Sequence, residues 1–288
     1  MYRKLLCAFA DGRMAFPVER FKRQALDMKF YDQIHIYNET LLDQEFIDEF
    51  SQQLPLRGYG YWSWKPQILI QSFSKMEYGD IIQYSDIGCH LNAEGRERLS
   101  QYFDLANNDT SDFLAFKMLG FPEKRWTKGD TFDYFNFRNK PNITNTPQFW
   151  AGSFIVKKTN TSEKILFEWL NAIRNNFNLI DDSPSKSSNF PEFIEHRHDQ
   201  SLFSLLAKKY NFSALEHGQE NTKYYFRYPI LALRDKGDGV AWCKVLSAPP
   251  LLRGFIHENK LTRKIRVFIE VLIGQQALIR FKKLLSKR

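Results

Sequence analysis

The sequence predicts an α/β fold, a mostly parallel sheet flanked by helices. Three observations lead there. Short apolar runs of strand character alternate with longer amphipathic stretches, the pattern of parallel strands joined by helical crossovers. With 288 residues the chain can bury a core of that size, as one domain or as one domain with an appendage. The short apolar run 81–84 stops abruptly at Asp86 and Gly88, and in open α/β sheets ligands bind at the carboxyl ends of strands.

In order, residues 4–10 read as a buried strand closed by Asp11 and Arg13. Residues 17–28 read as a helix and 33–37 as a second strand between polar boundaries. Phe46, Ile47, Phe50 and Leu54 recur at helical spacing and predict a helix over 43–54. The aromatic, Gly-punctuated stretch Gly58-Tyr-Gly-Tyr-Trp-Ser-Trp-Lys-Pro66 leads into a helix over 66–75, and 81–84 is a short strand. A helix over 93–107, a strand over 113–117 and a polar, loop-like region over 121–147 follow. Then come a strand over 149–156 and a helix over 162–176. Residues 181–189 form a polar, mobile loop before a helix over 198–209.

Composition narrows the class. The chain has 26 Phe, 13 Tyr and 6 Trp, enough to fill a core and leave rings for stacking on sugars or bases. Cys7, Cys89 and Cys243 are odd in number and far apart. They fit neither a zinc spacing nor a disulfide framework, which points to a reducing cytosol. The run Leu5 to Ala10 is too short for a signal-peptide core or a membrane span. The expectation is a cytoplasmic protein, alone or held peripherally on the inner membrane face.

Charge is concentrated at one end. Residues 260–288 hold nine Lys and Arg against Glu270, so this segment carries the whole +8 excess of the chain. Apolar residues such as Ile265, Phe268, Ile269 and Leu272 accompany them at mostly helical spacing. The domain reading is therefore a body over 1–257 and a basic amphipathic C-terminal helix over 258–288. That helix either meets an anionic membrane surface or packs on the body with a solvated basic face. Nucleic acid is not an expected partner, because the rest of the chain is neutral and shows no binding motif.

Several motifs stand in sequence order over residues 58–210. Tyr84-Ser-Asp86-Ile-Gly88 resembles the Tyr-x-Asp-x-Asp strand end of nucleotide-sugar glycosyltransferases of the GT-A fold, with Gly88 at the second Asp. Gln148-Phe-Trp-Ala-Gly152 is similar to the Phe-Asn-Ala-Gly strand of the glycogenin and lipooligosaccharide galactosyltransferase type. His196-Arg-His198-Asp199-Gln200-Ser-Leu-Phe-Ser-Leu-Leu is similar to their Asp-Gln-Asp-x-Leu-Asn segment, with Ser201 at the third Asp. The stretches Gly60-Tyr-Trp-Ser-Trp-Lys-Pro66, Trp126-Thr-Lys128-Gly-Asp130 and His196-Arg-His-Asp-Gln-Ser201 resemble bacterial capsule and lipopolysaccharide transferases.

The resemblance implies a GT-A-like, Rossmann-like sheet and transfer of a hexose, such as galactose, from a UDP-linked nucleotide sugar. The implied acceptor is a surface-polysaccharide or lipopolysaccharide glycan, free or lipid-linked, and the resemblance favours retention of configuration. It places Asp199 and Gln200 beside the reacting carbon, where an oxocarbenium-like centre wants a carboxylate or amide oxygen. Donor contacts fall to Ala10, Asp11, Arg13, Lys65, Asp86, Gln148 and Gly152. A divalent metal, Mn2+ or Mg2+, would take Asp86, with His198 as a second ligand. Gly88 in place of the second Asp leaves metal dependence open. Two other classes stay in view: another nucleotide-dependent transferase, such as a nucleotidyltransferase, and a non-catalytic glycan- or membrane-binding module.

Overall fold

The computed structural model describes residues 2–108, 110–216 and 228–235. Its centre is a seven-stranded sheet in the order β2-β1-β3-β7-β5-β6, with β8 also paired to β5. The strands are β1 (Lys4–Phe9), β2 (Gln33–Tyr37), β3 (Ile81–Ser85), β5 (Phe113–Pro122), β6 (Pro147–Phe149), β7 (Ser153–Lys157) and β8 (Ser213–Glu216). β1 runs parallel to β2 and β3, β7 is antiparallel to both β3 and β5, β6 is antiparallel to β5, and β8 is parallel to β5. Five strands therefore share one direction and two oppose it, a mostly parallel sheet as expected. A two-stranded ribbon, β4 (His90–Leu91) with β9 (Ile230–Leu231), lies apart.

Alternation along the strands divides the core in two, because successive side chains point to opposite faces. Leu5, Cys7, Phe9, Ile82, Tyr84, Phe154 and Val156 share one cluster with α2 (Gln44–Glu49), α4 (Trp64–Phe73), α9 (Asn160–Asn175) and α10 (Asp199–Lys209). Leu6, Ala8, Ile81, Leu114 and Ile155 share the other with α1 (Ala15–Asp27) and α5 (Arg96–Asn108). Both faces are thus covered, which is why β1 reads as a nearly continuous apolar run and why β3 and β7 are buried along almost their whole length.

The structure departs from the sequence reading in several places. The helix expected over 43–54 ends at Glu49, and turns carry Phe50 and Leu54 into the core. α4 begins at Trp64, not at Pro66, because Pro is tolerated in a first helical turn. The region 121–147 contains three short helices, α6 (Glu123–Trp126), α7 (Gly129–Tyr134) and α8 (Pro141–Thr144). The strand expected over 149–156 is two strands, β6 and β7, because Trp150–Ala151–Gly152 crosses between different partners. Gly152 permits that crossing: a Cβ there would lie 2.3 Å from Trp150 Nε1. The basic segment 258–288 and its boundary at 257 lie outside the described residues.

Before α4 stands α3 (Arg57–Tyr61), whose backbone is unusual. Gly58, Tyr59, Gly60, Tyr61 and Trp62 have φ of 63, 53, 78, 52 and 61°, five left-handed residues in succession. Each of the three non-glycine residues costs about 1–2 kcal/mol, so packing must hold them there. It does so through Tyr61 in the core and a hydrogen bond from Trp64 Nε1 to the Gly58 carbonyl at 3.1 Å.

Candidate active site

A cavity of about 900 Å3 opens at the carboxyl ends of β1 and β3, walled by the α3 turn, the 181–185 loop and the start of α10. Of the residues singled out from the sequence, Ala10, Asp11, Lys65, Asp86, Gly152, His198, Asp199 and Gln200 line it. Arg13 lies on the short turn Gly12–Met14, and its side chain is outside the described residues. Gln148 is fully buried behind the wall and does not reach the cavity.

The centre of the site is an ammonium between two carboxylates. Lys65, in the first turn of α4, is 2 % exposed and places Nζ 2.6 Å from Asp199 Oδ2 and 3.3 Å from Asp86 Oδ1. It also donates to the Ala151 carbonyl at 3.1 Å. Burial opposes the Lys65 charge, but Asp199 and Asp86 outweigh it and hold the ammonium above the ordinary lysine range. Burial pushes Asp199 up, Lys65 pulls it back, and the nearby Asp86 charge adds to the rise. Two carboxylates share one cation, so one excess negative charge remains in the group.

Asp86 is positioned from two sides. Its backbone N–H donates to the Gly152 carbonyl at 2.8 Å, and its Oδ1 accepts from the Tyr84 hydroxyl at 2.5 Å. Burial, and then the Asp86 charge, push the Tyr84 phenol well above its usual value, so it remains a donor. Cys89 also lines the cavity, but burial pushes its thiol up, so it offers no thiolate nucleophile.

Gln200 is oriented by a buried relay that sequence reasoning assigned differently. Gln148, expected at the donor, instead accepts at Oε1 from Gln200 Nε2 at 2.8 Å. Its own Nε2 faces Thr127 Oγ1 at 3.0 Å, Ser201 Oγ at 3.1 Å and Glu123 Oε2 at 3.3 Å. These acceptors fix the Gln148 amide, which in turn fixes Gln200 with Nε2 inward and Oε1 toward the cavity. Glu123 is completely buried and is held by Lys208 Nζ at 2.6 Å.

The two histidines are structural in their contacts. His196 Nδ1 accepts from the Lys128 backbone N–H at 3.2 Å, and Nε2 donates to the Leu179 carbonyl at 2.8 Å. An accepting Nδ1 requires a neutral ring; burial and the Lys128 charge draw its pKa down to about 3. His198, with φ 53°, bonds the Ile180 carbonyl through Nδ1 at 2.8 Å and directs Nε2 toward Asp182 at 3.6 Å.

The 181–189 loop, expected to be mobile, is tied down along its length. Asp130 accepts from the backbone N–H groups of Lys186 and Ser187, each at 2.9 Å. Burial works against its charge, but these donors bring the Asp130 carboxyl down to about 2. Lys128 Nζ contacts the carbonyls of Asp181 and Ser183, and Arg138 donates to the Ser188 carbonyl at 2.6 Å. Asp130 and Lys128 belong to the Trp126–Asp130 motif, whose place in the fold is thus to pin this wall.

The described residues do not by themselves make a divalent-metal site. Among the described residues, no three His, Cys, Asp or Glu side chains come together as a ligand set. The position between Asp86 and Asp199 is filled by Lys65 Nζ, and His198 directs its Nε2 toward Asp182.

Sequence reasoning missed Arg234 and Arg197, which also line the cavity. Arg197 stacks on Trp126 and Phe121, with its guanidinium 4.9 and 5.0 Å from their ring centroids. Arg197 stood in the sequence between the two noted histidines. Arg234 reaches the cavity only through pairing of β9 with β4, and no local signal marks it.

No family model matches the chain, and no curated protein matches it. Among solved structures, it is similar to a glycosyltransferase involved in glycosylation of the major capsid of PBCV-1. There the identity is 11 % and the TM-score 0.45, over 84 % of this chain and 99 % of that one. It is similar to the glycosyltransferase GlyE of Streptococcus pneumoniae TIGR4 at 15 % identity and a TM-score of 0.41, over 77 % of this chain. The match covers 46 % of GlyE, so this chain spans about half its length. A third likeness is the galactosyltransferase LgtC in complex with donor and acceptor sugar analogs, at 11 % identity and a TM-score of 0.38, over 69 % of each chain. At TM-scores below 0.5 these likenesses carry no argument about activity, which rests on the residues of the site.

Proposed function

We propose that the chain is a GT-A-like glycosyltransferase that moves a hexose from a UDP-linked sugar to a glycan or lipid-linked glycan acceptor. The observation that carries this reading is the Asp86–Lys65–Asp199 group beside Gln200, in a cavity large enough for a nucleotide sugar. Phe9, Ala10 and Asp11 at the end of β1, with Tyr59 beside Phe9 at 5.6 Å between ring centroids, offer an apolar and stacking wall for the base. Asp86 is the most exposed carboxylate of the group and is free on one side to accept from sugar hydroxyls.

Cleavage of the anomeric bond builds positive charge on the sugar and negative charge on the diphosphate. The excess negative charge of the carboxylate pair and the Gln200 Oε1 would stabilise the first. Asp199, held by Lys65 and only 6 % exposed, suits that electrostatic part better than attack on the sugar. Retention would then follow if the leaving diphosphate accepts the acceptor proton on the same face. Trp62 and Phe193 at the rim offer faces for an acceptor sugar. The +8 charge of residues 260–288 supports action at an anionic membrane surface.

The test is release of UDP from UDP-hexoses, followed by a coupled assay, and proton NMR of the anomeric signal of the product. Asp199→Asn and Gln200→Ala should lower turnover more than they weaken UDP binding, as expected of groups beside the sugar carbon. Absence of binding and turnover with UDP-, GDP- and CMP-linked sugars alike would refute the reading.

A further inference from the structure

Two residues after Asp86, where the resembled motif carries its second Asp, the chain has Gly88. The structure gives a physical reason. A Cβ on Gly88 would lie 3.3 Å from Arg234 Cα and 3.4 Å from its carbonyl carbon, and the Asp235 N–H donates to the Gly88 carbonyl at 2.9 Å. The segment carrying Arg234 lies directly across the turn after β3, over the place a second carboxylate would occupy.

That segment is firmly attached. Asp235 is 2 % exposed; its Oδ2 lies 2.8 Å from His90 Nε2 and 3.3 Å from Arg20 Nε. Arg20 in turn donates to the Ile87 carbonyl at 2.8 Å and the Cys89 carbonyl at 2.7 Å. The backbone of Arg234 is therefore fixed on the Asp86–Gly88 turn while its side chain is exposed at the cavity. Among the described residues Arg234 makes no ion pair. Arg197 lines the same cavity, and after burial the Arg234 charge is the next cause that lowers its pKa. Two guanidiniums near enough to repel, with the exposed Glu195 as the acid paired to Arg197 at 3.1 Å, make a place that favours an anion.

We propose that Arg234, with Arg197, holds the diphosphate of the donor directly, with no divalent cation at Asp86, whose Oδ1 is already taken by Lys65 and Tyr84. This rests on the transferase reading above. The replacement is consistent in charge: the guanidiniums of Arg234 and Arg197 supply positive field at the leaving group, while Lys65 is spent on its two carboxylates. A guanidinium also presents paired N–H donors matched to phosphate oxygens.

The experiment is calorimetric titration of the full chain with UDP and with uridine, in EDTA and again with Mn2+. UDP affinity should agree within about twofold between the two conditions. Arg234→Ala should weaken UDP by about tenfold or more while leaving uridine binding unchanged, and Arg234→Lys should recover part of the loss. The exposed side chain makes a folding defect separable, because the thermal midpoint of Arg234→Ala should match the parent. UDP binding that appears only with Mn2+, or that is unaffected in Arg234→Ala, overturns the inference and leaves the transferase reading standing. Failure of UDP to bind under either condition overturns the inference, and failure of UDP-, GDP- and CMP-linked sugars alike removes the transferase reading with it.

Discussion

Replacing Lys65 with Met tests the central charge group. Lys65 Nζ stands 2.6 Å from Asp199 and 3.3 Å from Asp86, and both Lys65 and Asp199 are buried. At an effective dielectric constant of about 20, a pair 2.6 Å apart attracts by roughly 6 kcal/mol before desolvation is subtracted. Removing one partner of a buried pair costs about 3–5 kcal/mol, because the other charge is left without compensation. For a chain of this length that corresponds to a fall in Tm of roughly 5–8 °C. The loss should depend on pH. Without the ammonium, Asp199 takes up a proton well above the ~3.9 of an unfolded Asp. A raised carboxyl pKa in the fold lowers stability as pH rises through it, so the variant should lose more at about pH 8 than at about pH 5. Differential scanning fluorimetry at both values measures this. Lys65→Met/Asp199→Asn should recover most of the Tm but no activity, since the site charges are gone. A Tm within about 1 °C of the parent at both pH values would refute the buried charge group.

Three further outcomes follow from the contacts described. Gln148→Ala frees the Gln200 amide, so kcat should fall by up to about tenfold with UDP affinity unchanged, as read by steady-state kinetics and calorimetry. Equal loss of UDP affinity would place Gln148 at the nucleotide. Gly152→Ala puts a Cβ 2.3 Å from Trp150 Nε1, and should destabilise by about 1–3 kcal/mol while displacing a ring of the cavity wall; a Tm equal to the parent's would contradict it. His196 is neutral in the fold down to about pH 3, whereas in the unfolded chain it binds a proton below ~6.5. Its contribution is therefore complete above that value and is lost on acidification across the window, by an order of a few kcal/mol. Urea denaturation at about pH 7 and pH 4 should show a smaller pH dependence in His196→Gln than in the parent, and an identical one would dismiss the neutral-ring assignment.

The α/β class and the placement of β1, β2 and β3 follow from local pattern: β1 is apolar along nearly its whole length because it is buried on both faces, and β2 and β3 are short runs of strand character between polar boundaries. The carboxylate at the end of β3 stood out at an element boundary, and the Asp199-Gln200 pair entering α10 was marked by motif resemblance; both line the cavity. What local pattern could not decide is who meets whom. Lys65 is separated from Asp199 by 134 residues, and nothing near either residue announces the other. Gln148 looked like a donor contact because its neighbours matched a motif; only the approach of α10 to β6 turned it into a support for Gln200. The split of the 149–156 run into β6 and β7 depends on two different pairing partners, which a single run of apolar residues does not encode. The place of Arg234 and the close packing over Gly88 arise from one backbone crossing another 146 positions later. Propensity and periodicity act over a turn or two of chain, whereas the charges of this cavity are set by contacts that exist only once the sheet has closed.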